Sequence, residues 1–439
     1  MPLLRNAGLL ALALFLTACA GLPSGGATRN VILLVGDGMD AHQITIARNY
    51  LVGPRGRLTL DEMPGRADVG VVTVNERAPD KLEYVTDSAS TATSIATGAV
   101  TSQGRIATAA ATDADLVTLA ELAGAAGFRT GVISTAEVTD ATPASFAAHI
   151  AGRWCKSAAD MASNPICAGD RVRVGGPGSI ARQLAGSSLD LLLGGGGEDF
   201  GSGEGSPLER AKSRGFKVLT TTAELRAAPL QSRWLGLFTD GNFVPRLQGE
   251  GGRIAERVGE GGVFPDPMRC VPNPAAESQP GLLEMTERAV ARLNDDPGRG
   301  LFLVVESALI DKASHVRNAC GSIGEVAQLD ETLRFLNSFA AANKNTLIVV
   351  TADHSQAAQL VSDTSLYQNL GNPVHTPGHI ARIELDDGTL MGVNYATNTF
   401  FVEEHTGAHV PLHTNRPDLF PGFLTQADVF LVMREFLGL

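Results

Sequence analysis

Six apolar runs recur along the chain without the polar alternation of a half-buried strand: "NVILLVG" (30–36), "DVGVVTV" (68–74), "TGVIST" (130–135), "DLLLG" (190–194), "LFLVVE" (301–306) and "TLIVVT" (346–351). Runs rich in Val, Ile and Leu are the pattern of strands buried on both faces of a parallel sheet. Between several of them the apolar positions recur at helical spacing, in "AHQITIARNYL" (41–51), "LVTLAELAGAAG" (116–127) and "GEVAQLDETLRFLNSFAAA" (324–342). Strand and helix alternate, which predicts an α/β fold with a doubly wound, mostly parallel sheet sandwiched by helices.

Two regions break the pattern. Residues 157–280 are rich in Gly, Pro and charge, as in "GGGGEDFGSGEGS" (194–206) and "GEGGRIAERVGEGG" (249–262), and predict a loop-rich crown or cap inserted into one domain of residues 30–439. The N-terminus reads as a targeting segment: Arg5 is followed by the apolar "GLLALALFL" (8–16), and "LTAC" (16–19) resembles the lipobox of bacterial lipoproteins. On that reading residues 1–18 are a signal peptide, Cys19 is acylated, and residues 19–29 are a flexible tether. The protein is then held on the periplasmic side of a bacterial membrane, the outer one favoured; without acylation it is a soluble exported protein. No later stretch has the roughly 18 consecutive apolar residues of a spanning helix.

A net charge of −12 over 439 residues argues against a protein that tracks a nucleic-acid backbone. Cys155, Cys167, Cys270 and Cys320 remain in an exported chain, an even number that favours disulfides. Four cysteines allow three connectivities; proximity favours Cys155–Cys167, which leaves Cys270–Cys320.

The acidic residues are placed where ligands bind in such sheets, just outside the carboxyl ends of the strands. "VILLVGD" ends in Asp37, "LFLVVE" in Glu306 and "TLIVVTAD" in Asp353, with His354 next, while "VISTAEVTD" reaches Asp140. Crowded carboxylates raise one another's pKa, and a bound cation is the economical remedy. In "IDKASH", Asp311 and His315 are four apart and share one helix face, a donor pair that suits zinc. Each acid alone has a plain structural reading: Asp37 in a turn, Asp353 or Asp140 capping a helix. Their convergence on one sheet edge favours a metal site. The stretch "YVTDSASTATSIATG" (84–98) then gains a purpose. Ser88 opens a helix made of small residues, so its hydroxyl and the free N–H groups face one point, an anion site beside the cations.

"NVILLVGDGM", "YVTDSASTATSIATG", "STAEVTDATPASFAAHIAGR", "LFLVVESALIDKASH", "TLIVVTADHS" and "EEHTGAHVP" together resemble the alkaline phosphatase family, in its order and across nearly the whole mature chain. The resemblance implies hydrolysis of small-molecule phosphate monoesters with two zinc ions and one magnesium. It makes Ser88 the nucleophile that becomes phosphoserine, and Arg153, on the helix after "DATP", the grip on phosphate oxygens. Asp311, His315 and His405 would hold one zinc, and Asp37, Asp353 and His354 the other. Asp37, Thr142 and Glu306 would take the magnesium. Asp140 and Lys312 match the bacterial subgroup with Asp and Lys at those positions. The family's two successive disulfides agree with the proximity pairing, and a homodimer follows by analogy. Spacing alone does not choose His405 over His409 or His413; the motif does.

Two departures stand out: Asp40 where "GDGMG" has Gly, and Gln356 where "ADHxH" has His, a place that supports a zinc ligand. His149 reads as a hydrogen-bonded structural residue. The alternatives are a phosphodiesterase or sulfatase-like member of the wider superfamily, which Arg153 disfavours, and a catalytically silent phosphate- or metal-binding protein. No G-x-S-x-G occurs and no Lys follows a Gly, which removes the serine hydrolase elbow and the P-loop.

Overall fold

The computed structural model describes residues 28–259, 263–296, 298–363 and 377–439; the signal peptide, Cys19 and most of the tether lie outside them. Ten strands form the main sheet, in the order Phe423–Thr425, Gly65–Gly70, Val410–Thr414, Thr346–Thr351, Asn30–Gly36, Leu301–Ser307, Arg129–Glu137, Leu191–Gly195, Arg233–Leu237 and Phe216–Leu219. The seven from Thr346–Thr351 to Phe216–Leu219 are mutually parallel. Val31 to Leu34, Leu301 to Val305 and Leu347 to Val350 have no exposed surface, as their unbroken apolar runs require.

Register decides where the acids fall. Gly36 pairs with Ser307, Val35 with Thr351 and Glu306 with Ser134, so Asp37, Glu306 and Asp353 emerge at one level of one edge.

The strand expected over residues 68–74 is different. Gly65–Gly70 alternates buried and exposed residues and runs antiparallel to Val410–Thr414, while Thr73–Asn75 leaves the sheet to pair with Ala78–Glu83. Arg66 and Asp68 face outward between Gly65, Ala67 and Val69, the period of a strand buried on one face only. The helices expected at 41–51, 116–127 and 324–342 are Ala41–Val52, Leu119–Ala125 and Ala319–Ala342. Asn318 caps the last of these, which starts it five residues early.

Within residues 157–280, Leu191–Gly195, Phe216–Leu219 and Arg233–Leu237 extend the main sheet, and short helices and loops connect them. A second sheet, Glu256–Val258, Gly378–Glu384, Leu390–Tyr395 and Gln359–Val361, covers a smaller core that includes Ile46, Cys320, Met391 and Tyr395. Disulfides join Cys155 to Cys167 and Cys270 to Cys320. Among the described residues no helix is long and apolar enough to cross a membrane.

Candidate active site

Ser88 begins the helix Ser88–Thr97, which Asp87 caps by accepting the Ser90 N–H at 3.1 Å. Ser88 to Ala96 are all buried, so small side chains let this helix sit inside the molecule. Ser88 Oγ lies 3.1 Å from His354 Nε2.

Around that imidazole the acids close in. His354 Nε2 is 3.3 Å from Asp37 Oδ1 and 3.4 Å from Asp353 Oδ2, and each of these oxygens is buried without a hydrogen-bond partner. Asp353 Oδ1 instead accepts the N–H of Gly38 at 3.1 Å and of His354 at 2.9 Å. Gly38 has φ +67°, and a Cβ there would lie 3.1 Å from Asp311 and 2.8 Å from Gln356, so glycine is required where these segments touch.

The second group is built on the helix Leu309–His315, where Asp311 Oδ2 and His315 Nε2 are 3.1 Å apart. His405 Nε2 comes within 3.1 Å of His315 Nε2 and 3.5 Å of Asp311 Oδ1. Ligand atoms of Asp37, Asp353 and His354, and of Asp311, His354 and His405, lie within 4.8 Å of one another. The three imidazoles share a device. Nδ1 of His315 faces the Glu403 carbonyl at 2.6 Å, Nδ1 of His354 that of Ser355 at 3.2 Å, and Nδ1 of His405 that of Thr86 at 2.7 Å. With the proton on Nδ1, every Nε2 lone pair points into the cluster, as metal-ligating histidines require.

The electrostatics agree with that chemistry. Burial pushes Asp37 up, reinforced by Asp353 and Asp311, whereas Asp353 and Asp37 drive His354 to about 10 against the opposing effect of burial. His405 is pushed down to about 3 by burial and the neighbouring imidazoles. The cluster thus favours positive charge among its acids and a free lone pair on His405. Glu306 is raised to about 7 by burial, opposed by the nearby hydroxyls of Ser134 and Thr142, and Thr142 Oγ1 makes no hydrogen bond. Orphaned oxygens on Asp37, Asp353 and Thr142 fit hard or borderline divalent cations.

Arg153 stands in a turn and not on a helix, because the helix after Asp140 ends at Ala144 and the chain then bridges Ile150 to Ile106. Its guanidinium spans Asp87 Oδ2 at 3.0 Å and Asp140 Oδ1 at 3.2 Å. Asp140 makes no capping bond; it also pairs with Lys312 and stands 3.6 Å from Lys156, which pairs with Glu137. These three cations hold Asp140 well below the usual carboxylate range despite its burial. Asp87 and Lys156 are site residues that sequence reasoning passes over. The acid next to Ser88 is a signal for the first; nothing local marks the second.

Asp40 caps the helix Ala41–Val52, accepting from His42 N at 2.9 Å and Gln43 N at 3.0 Å. Gln356 Nε2 donates to Asp311 Oδ1 at 2.5 Å. His149 bonds Glu121 and the Ala107 carbonyl. His409 is 61 % exposed beside Asp68, and His413 lies in the strand Val410–Thr414, neither of them among the gathered ligands.

The alkaline phosphatase family model matches residues 28–431. The chain belongs to that family. The alkaline phosphatase of Escherichia coli (strain K12) is 36% identical over 94% of this chain and 86% of its own length. The streptomycin-6-phosphate phosphatase of Streptomyces griseus is 37% identical over 94% and 91%. The solved alkaline phosphatase of the Antarctic bacterium TAB5 shares the fold, with a TM-score of 0.68, 22% identity and coverage of 94% of this chain and 98% of that one. As an alkaline phosphatase family member the protein is a metal-dependent hydrolase of phosphate monoesters.

Proposed function

We propose that the reaction runs through a phosphoserine on Ser88, with zinc held by Asp311, His315 and His405, a second zinc by Asp37, Asp353 and His354, and magnesium by Asp37, Thr142 and Glu306. The carrying observation is Ser88 Oγ at 3.1 Å from His354 Nε2, at the open N-terminus of a ten-residue helix. When bound, the cations supply Lewis acidity that favours the serine alkoxide and the departing alkoxide.

Ser88 Oγ attacks phosphorus in line; the new O–P bond forms as the ester O–P bond breaks, and the alcohol leaves with a proton. Arg153 presents its planar fork to two non-bridging oxygens, held in readiness by Asp87 and Asp140. Lys312 and Lys156 balance Asp140, so that Arg153 is oriented without being neutralised outright. Water then attacks the phosphoserine and releases inorganic phosphate, restoring the Ser88 hydroxyl. A dianionic phosphoryl group answers the guanidinium better than a diester or a sulfate.

Export by residues 1–18, acylation of Cys19 and a homodimer complete the proposal, and all three rest on the sequence and the family. Cys19→Ser releases the protein from membranes if the anchor exists; unchanged fractionation removes the anchor. For the chemistry, Ser88→Ala lowers turnover of p-nitrophenyl phosphate about a thousandfold or more, with zinc content retained. Chelation abolishes activity, and zinc with magnesium restores it. Equal rates on the bis-ester, or full turnover by Ser88→Ala, refute the reading.

A further inference from the structure

A cavity of about 410 Å³ lies between the helix Ala158–Ser163, the turn Val172–Val174, the start of the helix Ile180–Leu184 and Pro207. No residue assigned above to the catalytic centre lines it. Its apolar ground is Met161, Ala162, Val172 and Pro207, and three guanidinium side chains, those of Arg171, Arg173 and Arg182, face the same space. No carboxylate is among the described residues that line it. In a chain of net charge −12 that is a local reversal of sign.

The cations are positioned there without being neutralised. The nearest acids along the chain bond elsewhere: Asp160 accepts from the Ser157 N–H at 2.8 Å and the Ser157 hydroxyl at 2.7 Å, and Asp170 from the Ala151 N–H at 3.3 Å. Among the described residues neither Arg173 nor Arg182 forms an ion pair. The Arg182 stem lies against Gly178, which has φ +89° and where a Cβ would be 2.6 Å from Arg182 Cδ. Arg171 donates to the carbonyls of Met161, Ala162 and Asn164, which ties the turn to the end of the helix Ala158–Ser163. The opposite wall is fixed as well, because the Ile180 and Ala181 N–H groups donate to the Cys155 and Lys156 carbonyls, each at 3.0 Å, and Cys155 is joined to Cys167. The one hydroxyl that lines the cavity, of Ser179, already accepts the Arg182 N–H at 3.2 Å. Every charged group in the wall is therefore a donor.

A recess of this size, apolar in its floor and with a few convergent polar groups, has the ordinary form of a small-molecule site. A wall of one sign draws in counter-ions. A bare inorganic anion leaves the apolar ground unused, and a cationic amphiphile meets like charge. We propose that this cavity is a second, non-catalytic binding site for an amphipathic organic anion, whose oxyanion group is met by Arg173 and Arg182 and whose apolar body lies against Met161, Ala162 and Val172. The site is separate from the phosphoserine chemistry and goes beyond it.

The test titrates the intact metal-loaded enzyme with 8-anilinonaphthalene-1-sulfonate and follows its fluorescence, in saturating inorganic phosphate to occupy the catalytic cations. One equivalent binds, Ser88→Ala binds it equally well, and octanoate displaces it, whereas octyltrimethylammonium and acetate do not. Arg173→Ala with Arg182→Ala weakens binding about tenfold or more. Arg173→Ala alone, on an exposed side chain that the fold does not need, weakens it about threefold or more. Ala162→Trp, which fills the floor and leaves the cations in place, abolishes it. Displacement by octyltrimethylammonium as readily as by octanoate, unchanged affinity in the arginine variants, or the absence of saturable binding in phosphate each overturn the proposal. None of these results touches the monoesterase reading, which stands or falls on turnover by Ser88→Ala.

Discussion

Glu325 makes a quantitative prediction away from the chemistry. It lies on the helix Ala319–Ala342, fully buried; Oε1 accepts the Arg246 N–H and the Gln328 side-chain N–H, each at 3.0 Å, and Oε2 has no partner. Burial raises its pKa from 4.5 to about 7, opposed by those hydrogen bonds and by Arg246. A displacement of that size means that the charged form costs the folded state about 3 kcal/mol. The sign follows from proton linkage: the folded chain keeps this proton after the unfolded chain has lost it. This group's contribution to stability is therefore greatest below pH 4.5, declines as pH rises to about 7, and stays low beyond. Glu325→Gln keeps the shape and the Oε1 acceptor but removes the charge. In acid the protonated carboxyl and the amide are near equivalents, so the two chains converge in stability. Above about pH 8 the variant is the more stable by about 1–3 kcal/mol, allowing for the unpartnered amide N–H. Urea unfolding of both chains at fixed zinc and magnesium, read as a difference across pH, isolates this term because the metal-linked protons are common to both. A difference independent of pH, or a variant less stable in alkali, refutes the reasoning.

Two further predictions concern the cations. Gln356→Ala removes the 2.5 Å hydrogen bond that fixes Asp311 and lowers zinc affinity about 10- to 100-fold, measured by chelator competition. His405→Ala loses one equivalent of tightly held metal, whereas His409→Ala, on an exposed side chain four residues away, changes neither metal content nor turnover; elemental analysis of the two proteins checks both.

What could be read from the sequence was whatever depends on local pattern plus the rule for sheet edges. Buried parallel strands announce themselves by apolar runs, and once they are aligned, Asp37, Glu306 and Asp353 must share an edge. Asp311 and His315 meet through helical spacing alone. His405 could not be separated from His409 by such reasoning, because both sit in a loop whose course is set by distant contacts, the Thr86 carbonyl among them. Arg153 illustrates the same limit: helix-forming residues flank Asp140, yet the backbone is drawn into a bridge with Ile106 and the helix stops after one turn. The run 68–74 reads as a strand buried on both faces because the outward Arg66, which reveals the alternation of Gly65–Gly70, precedes it. The helix Gln426–Leu437 carries a readable start, Thr425 with Asp428, but the helix Leu282–Leu293 follows Gly281, which offers no side-chain cap. The second sheet is assembled from segments far apart in the chain, and no short window contains its pattern.

The spread of the gathered carboxylates and imidazoles along the chain, from Asp37 to His405, bears on how the enzyme comes into being. A ribosome delivers Asp37 more than 360 residues before His405, the histidine that completes the second group. A polypeptide not yet extended to His405 therefore lacks the full coordination set, and complete capture of the cations waits for that residue.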